Sequence, residues 1–273
     1  MKKNILFLCF GLAAGPLAHA DSRLFPTDIL NQGEVDTQVS INHQRNSSDI
    51  NSLADTGTQS QRLTAESVQG RYGLGGNWQV GASLNYQTED TAHTDYSSPP
   101  AHFVQTSSDR WRNPAFWATY GLINDKTNPF SLNGELLVSP DVTSTPTSYV
   151  ARLSSGWRNS DTLRLYATYS AKFVIGSNNA DSNSIAIGAY QDISDSVTLI
   201  PHASYTRFNA TSTFSSQTQY GAGLSADIQI FKGTYLIPDV SFYKNSSRNT
   251  KDGLFHADGA SGTSINLALY HLY

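Results

Sequence analysis

The sequence predicts an all-β chain, a transmembrane antiparallel β-barrel of about twelve strands. Three observations predict it. Apolar and polar residues alternate with period 2 over stretches of about ten residues, and they do so repeatedly. The connections between these stretches alternate short and long. The last residue, Tyr273, is aromatic and ends an alternating apolar segment.

Composition removes the competing classes. Of 273 residues, 38% are hydrophobic and 15% charged, against about 25% charged in an ordinary soluble domain. The chain holds 14 Tyr and 12 Phe but a single Cys and a single Met. It is too long for a disulfide mini-scaffold and too aromatic for a disordered chain. Lys and Arg number 18 against 22 Asp and Glu, so no electropositive footprint for a nucleic-acid partner exists.

The first twenty residues set the compartment. Lys2 and Lys3 precede an apolar run from Ile5 to Ala14, and Ala18-His19-Ala20 supplies a small-x-small cleavage site. The run is well short of the ~20 residues of a membrane anchor. Cys9 follows Leu8 rather than a small residue, which excludes a lipoprotein. Residues 1–20 therefore read as a cleaved signal peptide, 21–32 as a periplasmic N-terminal segment and 33–273 as the barrel. Cleavage before Asp21 removes both lysines and Cys9, leaving an acidic chain without cysteine. The expected location is the bacterial outer membrane.

The strands follow one another along the chain. Residues 33–44 alternate weakly. Residues 61–73 alternate poorly, because Glu66 shares a face with Val68 and Tyr72, and a bulge is expected there. In 78–86, Trp78, Val80, Ala82, Leu84 and Tyr86 occupy every even position. Weaker segments follow at 112–122, 130–139 and 148–158. The segment 163–173 is strong, with Leu163, Leu165, Ala167, Tyr169, Ala171 and Phe173 on one face. After 184–191 and 197–208, residues 219–230 alternate again through Tyr220, Ala222, Leu224, Ala226, Ile228 and Ile230. The series ends with 234–244 and 264–273.

Punctuation agrees. The connections at 75–77, 123–129, 159–161, 192–196 and 231–233 are short, whereas 46–60, 88–111, 140–147, 209–217 and 245–263 are long and polar. Short turns at one end, long loops at the other and an even strand count form the outer-membrane pattern. Closure satisfies every backbone group that would otherwise face lipid. Trp78, Tyr86, Tyr120, Tyr149, Trp157, Tyr205 and Tyr220 fall near strand ends, as interfacial girdles do. Ile265, Leu267, Leu269 and Tyr273 fit the C-terminal signal by which such barrels are recognised for insertion. His271 departs from it, and Tyr stands where the usual residue is Phe.

One family resemblance rests on these residues. Leu24-Phe25-Pro26-Thr27-Asp28-Ile29-Leu30 and Tyr72-Gly73-Leu74-Gly75-Gly76-Asn77-Trp78-Gln79-Val80-Gly81-Ala82-Ser83-Leu84 resemble the outer-membrane channels of the meta-pathway of phenol degradation (MetA-type). Asp109 to Tyr120 followed by Pro129 to Pro140 is similar to that family's next hairpin. The resemblance covers most of the mature chain as a texture of turns and alternation, with no catalytic motif. It implies a small barrel handling apolar or aromatic solutes; related barrels serve as exporters of extracellular fibre subunits.

The polar faces locate the candidate site. Mirror registers about loop 140–147 set Glu135 directly opposite Arg152. The neighbouring hairpins place Trp117 beside Glu135 and Thr168 beside Arg152, with Arg164 and Lys172 on the same wall. His202 and Asp227 complete the expected pore-lining set. A carboxylate and a guanidinium facing each other in a lumen either crosslink strands or form a charge-selective constriction. His202-Ala203-Ser204 brings to mind the outer-membrane phospholipase arrangement, but Tyr205 and Thr206 follow instead of Asn and Gly, and both residues point inward. His93, His102 and Asp95 lack metal-ligand spacing, so neither a metal nor a cofactor is expected. Asn46-Ser47-Ser48 and Asn245-Ser246-Ser247 match the glycosylation sequon but read as polar loop tips.

The leading functional reading is a channel for passive uptake or efflux of small, hydrophobic or aromatic solutes. The alternative is a barrel component of an export or surface-assembly system, and the third is a lipid-directed enzyme. The expected partners are outer-membrane lipids, lipopolysaccharide, the barrel-insertion machinery and a small-molecule solute. Monomer and homo-oligomer both remain open.

Overall fold

The computed structural model describes residues 25–52, 56–96, 102–124, 128–143, 146–176, 181–253 and 255–273. The residues read as a signal peptide lie outside them. Among the described residues, every regular element is a strand: β1 (Val35–Ser52), β2 (Thr56–Gly75), β3 (Trp78–Asp95), β4 (His102–Trp111), β5 (Ala115–Ile123), β6 (Phe130–Ser139), β7 (Ser148–Arg158), β8 (Leu163–Val174), β9 (Ser182–Ser194), β10 (Val197–Phe208), β11 (Gln217–Phe231), β12 (Thr234–Asn245), β13 (Arg248–Asn249), β14 (Phe255–Ala257) and β15 (Ser261–Leu272).

Twelve of them close a ring. From β5 to β12 each strand pairs antiparallel with the next, and β1–β2, β2–β3, β3–β5 and β12–β15 continue the ladder. The first and last strands then meet, from Asp36↔Leu272 to Ser47↔Ser261. No edge remains in the ring, which is what a lipid environment demands of a sheet. The fold class expected from alternation is the fold observed.

The other three strands decorate one end. β3 pairs with β5 along its first half and with β4 from Tyr86↔Trp111 to Asp95↔His102, so β4 extends the wall above β5. β14 adds to the far end of β1, and β13 pairs with β14.

Here the structure corrects the sequence. Residues 46–60 and 88–111, expected as loops, contain paired strand: β1, β2 and β3 have 18, 20 and 18 residues, against about 9–11 for a membrane crossing. The outward residues of β1 are Val39 and Ile41, then His43 and Arg45. Apolar alternation therefore stops at the upper membrane edge, while hydrogen-bonded pairing continues into water. The strand expected at 112–122 begins instead at Ala115. Pro114 lacks an N–H for the ladder. Asn113, buried, uses its Oδ1 to accept from the backbone N–H groups of Val142 and Thr143, both at 3.1 Å.

The bulge expected within 61–73 is absent. β1 and β2 keep one register from Val35↔Tyr72 to Asn51↔Thr56. Glu66 simply faces outward, opposite Ile41 on one side and Tyr86 on the other. The irregularity lies lower, between Gly73 and Gly75, where Gly75, Gly76 and Asn77 all adopt positive φ (85, 58 and 67°). Two glycines and an asparagine are what such a turn requires.

The faces sort by chemistry. Outward on β8 are Leu165, Ala167, Tyr169 and Phe173; inward are Arg164, Tyr166, Thr168 and Ser170. Leu224, Val240, Leu267 and Leu269 are all exposed on the outside. Trp78 and Tyr120 pack at 4.7 Å at the short-turn end, and Tyr205 and Tyr220 at 5.1 Å nearer the other. The outer surface is thus an apolar band edged by aromatic pairs.

Candidate functional site

The polar inner wall is the candidate site, and it is layered. At the short-turn end, residues 25–31 lie along it. The Phe25 ring meets Tyr190 (β9) at 5.0 Å and Tyr166 (β8) at 6.2 Å, both edge-on. The Arg164 guanidinium stands 5.1 Å from the Phe25 centroid and 5.5 Å from that of Tyr190, a cation–π arrangement. Thr27 Oγ1 bonds Ser131 Oγ at 2.6 Å, and Asn133 Nδ2 donates to the Pro26 carbonyl, both on β6. The Leu30 N–H donates to Gln79 Oε1 on β3. Room for Phe25 comes from Gly156 on β7, where a Cβ would lie 2.3 Å from the ring. Phe25, Thr27 and Leu30 are all buried. The segment assigned by sequence to the periplasm thus places these residues against the inner wall of the barrel.

Across the same end, Asp36 (β1) is 2% exposed. Arg71 (β2) grips it with Nε at 2.9 and 3.1 Å and Nη2 at 2.5 Å, while the Tyr270 (β15) hydroxyl donates to it at 2.9 Å. A fully hydrogen-bonded carboxylate is tolerated in a buried position. This one ties the chain's first barrel strands to its last.

Midway up, Glu135 lies opposite Arg152 in the β6–β7 ladder, with Arg152 Nη1 2.5 Å from Glu135 Oε1. The flanking residues differ from expectation. Thr119, not Trp117, faces Glu135 and donates to its Oε2 at 3.0 Å; Trp117 pairs with Leu137. Ser170, not Thr168, faces Arg152; Thr168 donates to Ser154 at 3.1 Å. Both expected registers are off by two residues: the β7–β8 turn closes with Asn159 bonded to Leu163 rather than at 159–161, and the β5–β6 ladder shifts between Gly121 and Ile123. The shift is even, so every side chain keeps its face. The Trp117 ring lies instead against Gly81 on β3.

The remaining predicted residues are separated. Arg164 belongs to the lower layer, Lys172 sits exposed at the upper end of β8, and Asp227 is buried opposite Thr198. His202 bonds Asp239 (β12) through Nε2 at 2.6 Å. It reaches across β11 because Gly223 lies between; a Cβ there would come within 2.6 Å of the imidazole. His202 Nε2 is therefore engaged by Asp239 rather than by Ser204. Sequence reasoning missed Asp239, Thr119, the Asp36–Arg71–Tyr270 cluster and Phe25. Asp239 carried a readable signal, the one acid of β12, on the strand's inward parity. Among the described residues, no three His, Cys, Asp or Glu side chains group as metal ligands.

Fold and wall together define a closed transmembrane antiparallel β-barrel with a polar lumen, the architecture of outer-membrane channels and porins. The COG4313 outer-membrane channel from Pseudomonas putida F1 is similar to it, with a TM-score of 0.60 at 8% identity over 94% of this chain and 100% of that one. A Pseudomonas aeruginosa FadL homologue is similar at TM-score 0.49 and 11% identity, covering 92% and 95%. The CymD monoaromatic hydrocarbon channel is similar at 0.47 and 11%, covering 89% of each. At 8% identity the likeness to the Pseudomonas putida channel establishes the fold alone. No family model and no curated protein matches the sequence.

Proposed function

We propose that the protein is a passive channel of the bacterial outer membrane for small solutes, reached through a cleaved signal peptide. The observation that carries this reading is the ring itself: twelve strands, an apolar outer band and an inner wall of hydrogen-bonding side chains. Eight strands leave room only for side chains and sixteen to eighteen leave a wide aqueous pore. Twelve give a lumen that side chains narrow without filling. Glu135 and Arg152 narrow it midway, and residues 25–31 narrow its short-turn end. The texture of residues 24–30 and 72–84, which resembles the phenol meta-pathway (MetA-type) channels, supports the same general role. Lipid, lipopolysaccharide and the insertion machinery are the partners this location entails.

The test is electrical. Purified protein added to a planar lipid bilayer should produce stepwise, ohmic conductance, and liposomes containing it should swell in small neutral solutes. Intact-mass analysis of the exported protein should give a chain starting at Asp21. Silent bilayers together with impermeable liposomes would refute the channel.

A further inference from the structure

We infer that the upper lumen, between β10, β11, β12, β15 and β1, is a docking site for a neutral polyhydroxylated solute, a pyranose sugar of one or two rings. The site is a cavity of about 350 Å³, within the roughly 300–1,000 Å³ of small-molecule pockets. Four carboxamides dominate its wall: Gln44, Asn46, Gln219 and Asn245. None of its described lining residues is Lys, Arg, Asp or Glu. His202, which also lines the cavity, is hydrogen-bonded to Asp239, so the imidazole Nε2 and that carboxylate are engaged with each other.

That lining selects by chemistry. A carboxamide offers a donor and an acceptor side by side, as does each sugar hydroxyl, so the two match in pairs. An anionic solute would find no cation here, and a cation no unengaged carboxylate. An aromatic hydrocarbon would cover the amides without replacing their hydrogen bonds, which costs free energy.

Two further features point the same way. The buried Oδ1 of Asn245 accepts no hydrogen bond within the protein, and a small rotation of its amide carries it to a solute hydroxyl. The Tyr243 ring reaches over Gly262, where a Cβ would stand 2.4 Å from the ring carbon bearing the hydroxyl. An aromatic ring on the wall of a polar cavity offers a platform for the C–H face of a pyranose, whose positive edge suits the negative π-face. Gly221 on β11 lines the cavity and leaves room for the Ser204 hydroxyl at its wall.

The inference deepens the channel reading and rests on it for its transport readout, but binding tests it separately. In bilayers, glucose, maltose and sucrose should interrupt the ion current in a concentration-dependent way, while glucuronate and phenol should not. Gln44→Leu combined with Asn245→Leu should raise the half-blocking sugar concentration at least tenfold, relative to the variant's own current. Tyr243→Leu should weaken the block and Tyr243→Phe preserve it. Saturation-transfer NMR in a detergent without a sugar headgroup should show maltose contact that the double variant loses. Heat-modifiable gel migration confirms that each variant is folded. Maltose contact without conductance would sink the channel and keep the site. Conductance with no sugar block and no contact, or block by phenol instead, would overturn the site.

Discussion

Glu135 and Arg152 illustrate what one pair can be asked to do. Glu135 is 13% exposed and holds two partners, the Arg152 guanidinium and the Thr119 hydroxyl. Removing Arg152 alone leaves a largely desolvated carboxylate with one neutral donor. Arg152→Gln should therefore cost more stability than Arg152→Gln and Glu135→Gln together. Urea unfolding in lipid vesicles should give a coupling on the order of 1 kcal/mol; additive effects would mean that water already screens the pair. If the pair constricts the lumen, Glu135→Gln should also turn ion selectivity toward anions, measured as a shift in reversal potential under a salt gradient. Asp36 is a harsher case. With Arg71 and Tyr270 both committed to it, Asp36→Ala should strand the guanidinium at the seam of first and last strands. The expected loss is about 3 kcal/mol, read in the same unfolding experiment, with Arg71→Met plus Asp36→Leu recovering part of it.

Strands make their own predictions, because period 2 fixes which side meets lipid. Leu224 is outward and exposed, whereas its neighbour Ser225 faces in and donates to the Pro238 carbonyl. Arg at position 224 should cost about 2–4 kcal/mol near the membrane midplane. Arg at 225 should be far better tolerated, and equal effects would reverse the assignment of faces. The N-terminal segment is an element too, though it has no regular structure. It is held by the notch at Gly156. Gly156→Leu should push Phe25 off the wall while leaving the outer face untouched. Proteolysis at residues 25–31 in folded, detergent-solubilised protein should accelerate, with the barrel itself resistant.

At the scale of the molecule, closure and narrowing are separable. Closure makes unfolding all-or-none, so unboiled samples should migrate anomalously on SDS gels and boiled ones normally. Narrowing at the short-turn end depends on a few residues. Deleting residues 25–31 should leave that gel behaviour intact and raise single-channel conductance. An unchanged conductance would place the limiting constriction at the Glu135–Arg152 layer instead.

The sequence by itself determined the class, the number of barrel strands and the two faces of its alternating segments. All three follow from alternation, which a lipid-facing surface imposes residue by residue. It also set Glu135 against Arg152, because the hairpin about 140–147 is symmetric. It did not disclose the paired extensions of β1 to β4, which are mostly polar and carry no period-2 alternation of apolar residues to mark a strand. Register slipped by two at Trp117 and Thr168, since the irregularity between Gly121 and Ile123 and the closure of the turn at Asn159–Leu163 are set by backbone geometry that composition does not reveal. Only the tertiary structure brought Asp36 to Tyr270, His202 across Gly223 to Asp239, and Phe25 into the notch at Gly156. Ring closure makes Asp36 and Tyr270 neighbours, the bare Gly223 lets His202 reach Asp239 across β11, and the packing of the N-terminal segment brings Phe25 to Gly156; no local pattern encodes any of the three.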